Sequence, residues 1–130
     1  MFDSDVQDRL EQQPLHLAAE RGKEKMVSCL LVKAQREAKK ENILGARCKN
    51  GQTPLHRAAW GGSAVVISLL LKEGSNANTE DNDGNTGLHI AAEKGFEDVV
   101  TILLQNGNVN VNAKGRNGLT ALYYAVMGGA

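Results

Sequence analysis

The chain has two cysteines, one tryptophan, no net charge and no long apolar run, and most of these shortages remove a class of function. Fifteen basic and fifteen acidic residues cancel, so no global field draws the chain to nucleic acid or to an anionic membrane surface. No apolar run approaches the roughly 20 residues that a membrane-spanning helix needs, and the acidic opening MFDSDVQDRL lacks the apolar core of a signal peptide. Membrane insertion is therefore not expected. Cys29 and Cys48 are too few and too far apart for a disulfide framework or a zinc site. Cys29 is expected as a small hydrophobe on the apolar face of a helix and Cys48 in a connector, which points to a reducing, intracellular, cytoplasmic setting. There is no nucleophile elbow, no phosphate-cradling glycine loop and no clustered metal-ligand spacing. No catalytic, cofactor-binding or metal-binding residue is assigned, and the chain is not read as an enzyme. Asp81 and Asp83 come nearest to a carboxylate pair, but they lie in a turn-forming stretch and read as a solvated turn.

What the chain has instead is self-similarity. TPLHRAAWGG, from Thr53 to Gly62, is echoed by PLHLAAERG (Pro14–Gly22), TGLHIAAEKG (Thr86–Gly95) and TALYYAVMGG (Thr120–Gly129). The anchors His16, His56, His89 and Tyr123 are 40, 33 and 34 residues apart. Thr53 suits an N-cap because its hydroxyl can accept an orphan N–H of the first turn, and Pro54 suits the first helical position, where no N–H is required. Leu55, Ala58 and Ala59 form a narrow apolar stripe, whose alanines let a neighbouring repeat approach closely. Gly61 and Gly62 end the helix. So short a helix is unstable alone in water and needs neighbours. A second apolar run follows each glycine (Met26, Val27, Leu30, Leu31; Val65–Leu71; Val99–Leu104), giving a second helix packed on the first.

This motif at a period near 33 resembles the ankyrin repeat. The resemblance implies an all-α solenoid of stacked helix-turn-helix units with short β-hairpin connectors, each unit touching only its neighbours. The chain then reads as one domain, 1–130: repeat one over 14–47, repeat two over 48–80, repeat three over 81–114 and a partial repeat four over 115–130. Residues 1–13 match no full unit. With Asp3, Ser4 and Asp5 as N-cap types and Val6 four residues before Leu10, they read as a short helix capping repeat one; a frayed tail and the remnant of an earlier repeat are the alternatives. The resemblance also gives each motif histidine a structural role, bonded to the threonine of its own motif and to backbone in a neighbouring hairpin. Asn78 and Asn112 fall at its hairpin-stabilising asparagine, which Gly45 replaces in repeat one.

Repeat one departs from the pattern. Its spacing is seven residues longer than the next, close to two helical turns, and the extra residues are strong helix formers. They predict one long helix from about Glu24 to Glu41, protruding from the stack and burying little, so that deleting Gln35–Glu41 should cost less than about 2 kcal/mol. Lys33, Arg36, Lys39, Lys40, Arg47 and Lys49 make this end basic, either a solvated tip or an anionic-ligand site. At the other end, repeat four holds only a first helix. Leu103 and Leu104 are expected to lack a next-repeat neighbour, leaving an open end suited to self-association or to the continuation of a longer chain.

The function implied by the resemblance is protein–protein recognition through the concave face of hairpin tips and first helices. Carried over residue by residue, the partner-binding positions are Lys49, Asn50 and Gln52; Asn82, Asp83 and Asn85; Arg116, Asn117 and Leu119 at the tips. On the helices they are Glu20, Arg21, Trp60, Glu93 and Lys94. Arg57, where repeats one and three carry Leu17 and Ile90, adds a second anchor-type residue near Trp60. The alternative for Trp60 is that it lies flat over Ala19 or Ala92 as packing. The rival functions are an accessory array of a longer multidomain protein and anionic-ligand binding by the basic end of repeat one; nucleic acid is disfavoured as a partner.

Overall fold

The computed structural model describes residues 14–48, 50–106, 109–115, 120, 121 and 123. Helix α1 covers 14–20, α2 Glu24–Arg36, α3 Lys40–Leu44, α4 Pro54–Gly61, α5 Ala64–Lys72, α6 Gly87–Lys94 and α7 Glu97–Gln105. Three helix pairs, α1/α2, α4/α5 and α6/α7, follow from the repeated motif. Thr53 is extended (φ −85°, ψ 170°) and caps α4, its hydroxyl accepting from the His56 N–H. Gly62, at φ 77°, ends α4 in the left-handed region and donates back to the Ala58 and Ala59 carbonyls. Gly95, at φ 76°, does the same for α6. The two-residue links that follow turn the chain back on itself, so each second helix packs on its first.

The first helices α4 and α6 lie side by side in one layer, and α2, α5 and α7 pack in a second. Small residues set the spacing of the first layer. Ala58 and Ala59 are fully buried, and a Cβ built on Gly87 would meet Ala59 at 3.7 Å and Leu55 at 3.9 Å. Between the layers Val66, Ile67, Leu70, Val99 and Leu103 are fully buried. Each such side chain contributes about 1.5–3 kcal/mol, and each helix packs both on its own partner and on a neighbouring repeat, which is why eight-residue helices persist. Leu103 corrects the expectation for the C-terminal side: it is buried, and of the pair only Leu104 is exposed. Residues 122 and 124–130, on which the open-end expectation also rests, lie outside the described residues.

The insertion corrects a second expectation. A straight helix to Glu41 does not form. α2 stops at Arg36, Ala38 adopts φ 58°, and Lys39 N–H donates to the Ala34 carbonyl at 2.7 Å. Among the described residues Ala38 is the only non-glycine at positive φ, at a cost of about 1–2 kcal/mol. The break turns α3 back on the stack, burying Leu44 and packing Ile43 against the core. That burial offsets the strained alanine; a straight continuation would leave both side chains in water. Cys29 is corrected too: it lies on the exposed side of α2, where Val27 and Leu31 take the core positions.

The connectors are tight turns closed by hairpin-type backbone bonds. Cys48 N–H donates to Gln52 at 2.9 Å and Asp81 N–H to Asn85 at 2.9 Å, while Asn82 N–H reaches Asn50 in the preceding tip at 3.1 Å. Among the described residues the pairing goes no further than one isolated antiparallel bridge, Lys114 with Thr120.

Candidate functional site

The histidines place the tips. His56 Nδ1 accepts from the Thr53 backbone N–H (3.1 Å) and hydroxyl (2.9 Å), so its proton sits on Nε2, which donates to the Asn85 carbonyl in the next connector at 2.9 Å. His89 repeats the arrangement with Thr86 and the Ala113 carbonyl, the latter at 2.8 Å. His16 Nε2 lies 3.0 Å from both the Ala46 and Gln52 carbonyls. Each ring therefore ties the start of a first helix to the connector after it, as the family resemblance implies. Burial pushes the His56 pKa below the usual 6.5, against the smaller opposing effect of its bond to Asn85. Asparagines add a second tie: the Asn78 side chain accepts from Asn110 N–H at 2.7 Å.

A polar chain runs across the first three repeats. Glu20 on α1 accepts from Arg57 on α4 at 2.7 Å, Arg57 donates to Gln52 at 3.1 Å, and Gln52 donates to Asp81 at 3.4 Å. Asp81 in turn accepts the Asp83 and Asn85 N–H groups at 2.9 and 3.0 Å. This chain corrects three expectations. Arg57 is a tie between repeats; its position faces the preceding repeat, where Ile90 is buried one repeat on, and an arginine there needs a carboxylate. Gln52 is buried at the base of its tip. Asp81 is buried as the organiser of its turn, while Asp83 is exposed as expected.

Trp60 stays 46% exposed on α4. The Lys94 ammonium, from α6, lies 3.6 Å from the centre of its ring, a cation–π contact. Asn50, Asn82, Asp83, Glu93 and Arg21 are exposed, and Asn85 is half-buried with its carbonyl engaged by His56. Lys49, Arg116, Asn117 and Leu119 lie outside the described residues. The structure thus joins Trp60 with Lys94, Glu20 with Arg57, and the Asn50 and Asn82 tips. Arg57 at an otherwise apolar repeat position is the signal that could have revealed the polar chain. Among the described residues no group of three His, Cys, Asp or Glu side chains is placed to hold a metal ion, and no helix is long and apolar enough to cross a membrane.

A family model described as ankyrin repeats (3 copies) matches residues 1–81 and 62–130. The chain belongs to the ankyrin-repeat family. It is 37% identical over 115 residues to alpha-latrotoxin-Lt1a of Latrodectus tredecimguttatus, covering 88% of this chain and 8% of that protein. It is 30% identical over 118 residues to human Rabankyrin-5, covering 86% and 10%, and 33% identical over 123 residues to the nuclear factor NF-kappa-B p105 subunit of Gallus gallus, covering 93% and 12%. The chain therefore spans about a tenth of the length of these relatives. Ankyrin repeats are generally protein-interaction modules, and the family is typically non-enzymatic.

Proposed function

We propose that this chain binds a protein partner through the concave face formed by its first helices and connector tips, with Trp60 as the anchor. The observation that carries the reading is a lone tryptophan held half-exposed on the middle repeat, its ring oriented by Lys94. An ordered indole loses little conformational freedom on binding and offers a large contact area, the property that enriches tryptophan at interface hot spots. Asn50, Asn82, Asp83 and Glu93 supply the polar rim, joined by Lys49, Arg116, Asn117 and Leu119 from the family pattern. Glu20, Arg57 and Gln52 act differently: they hold neighbouring repeats in register and so shape the face. The greater length of the relatives supports a place for this array inside a larger protein. The two free thiols support a reducing, cytoplasmic setting.

The test begins with Trp60 emission in the free protein, which should be red-shifted and readily quenched by acrylamide. Trp60→Ala should leave thermal stability within a few degrees and weaken a partner recovered from the host lysate by about 2 kcal/mol, roughly 30-fold. Blue-shifted, quench-resistant emission would refute the anchor, as would a stability loss of about 3 kcal/mol, the signature of core packing.

A further inference from the structure

One position near the end of each first helix carries an acceptor for a cation: Glu20 on α1, Trp60 on α4 and Glu93 on α6, each two residues before the glycine that ends the motif. In the first two repeats a cation from the following repeat fills it. The Arg57 guanidinium lies 2.7 Å from Glu20, and the Lys94 ammonium lies 3.6 Å from the centre of the Trp60 ring. Glu93 is exposed, and among the described residues no cation pairs with it. The two filled acceptors are held differently. Arg57 also donates to Gln52 and is half-buried, as is Glu20. Lys94 is exposed, a flexible and strongly hydrated ammonium resting on a half-exposed ring.

We propose that a basic segment of the partner binds across Trp60 and Glu93, with an arginine that exchanges with Lys94 on the indole and bonds to the Glu93 carboxylate. The inference rests on Trp60 as the anchor and adds the chemistry of what it anchors. Lys94 shows that the ring face admits a cation. Glu93 is its neighbour in sequence, so a cation seated on the ring is within a side chain's reach of that carboxylate. A guanidinium suits the pair better than an ammonium: it is planar, stacks on aromatic faces, sheds water more readily and offers a carboxylate a fork of donors. Among the described charged residues named on this face, those without an ion pair are Arg21 on repeat one, Asp83 and Glu93 on repeat three, and Lys94 on the indole. The two acids direct the basic segment to the repeat-three side.

Trp60 is the chain's one tryptophan, so its emission reports the site. Hexa-arginine, hexa-lysine and the neutral isostere hexa-citrulline are titrated at fixed ionic strength. Hexa-arginine should give a saturable change, hexa-lysine should bind about threefold more weakly, and hexa-citrulline should give none. Lys94→Ala should tighten hexa-arginine about threefold by freeing the ring, and Glu93→Gln should weaken it about fivefold, with thermal melts of both variants as the control for the fold. An equal response to hexa-citrulline, or an unchanged affinity in Glu93→Gln, would overturn the proposal. So would hexa-glutamate shifting the emission in place of hexa-arginine, because Arg21 and Lys94 would then be what a partner meets. A red-shifted, quenchable Trp60 that ignores hexa-arginine would defeat this inference alone; blue-shifted, quench-resistant emission would defeat the anchor reading with it.

Discussion

Gly61 tests how closely the first two repeats are packed. It is the last residue of α4, and its φ is not in the left-handed region, so backbone conformation alone would accept alanine there. By helix propensity Gly61→Ala should stabilise α4 by up to about 1 kcal/mol. The surroundings argue the reverse. A Cβ at this position would press on the Glu20 carbonyl oxygen and sit 2.8 Å from the carbonyl carbon. Both atoms are backbone, at the end of α1, so no rotamer change relieves the contact. The helices must separate, loosening the alanine seam and stretching the 2.7 Å Arg57–Glu20 bond. Overpacking of this kind costs about 1–3 kcal/mol, and against backbone the upper half of that range applies. The propensity gain offsets part of it, leaving a net loss of about 2 kcal/mol. Urea unfolding followed by far-ultraviolet circular dichroism gives the number directly. A midpoint equal to or above that of the parent would show that the repeats are not held this closely and would refute the reasoning. The next repeat carries Lys94 at the same position, so Lys94→Ala is the control and should change stability by about 0.5 kcal/mol or less.

His56 predicts a pH dependence. Its folded pKa lies below the unfolded value, so between the two the unfolded chain binds more protons and stability rises with pH. The contribution is fully present above about pH 6.5 and is lost as pH falls from there through the folded pKa. His56→Gln should flatten the stability profile over that window; profiles for parent and variant that stay parallel would contradict the assignment. Leu44→Ala should cost about 2–3 kcal/mol because the insertion returns this side chain to the core. Val32→Ala, at a 52% exposed position on α2, should cost about 0.5 kcal/mol; equal losses would mean that α3 does not fold back. Glu20→Gln should lower stability by about 1 kcal/mol by weakening the tie to Arg57; in a double-mutant cycle the loss should largely vanish in the Arg57→Ala background, and an equal loss in both backgrounds would show that the two residues act independently.

The family resemblance carried the fold class and the role of the histidines, and the repeat motif itself determined the three helix pairs, the threonine caps and the left-handed glycines. These are local: a cap, a helix stop and a Thr–His pair three residues apart depend on neighbours in sequence, so residue types at fixed spacing specify them. Only the tertiary structure decided what lies across from each side chain. Arg57 looked like an anchor until Glu20, 37 residues away, proved to hold it. Gln52 looked like a partner-binding tip and Asp81 like part of a solvated turn until the two connectors came together. Gly61 looked like a helix stop and proved to be a point of close approach to Glu20. The insertion had the composition of a straight helix, yet burying Leu44 outweighed the cost of a left-handed alanine. In each case the competing term is a distance between repeats, set by how the alanine faces stack, and no pattern within one repeat encodes it.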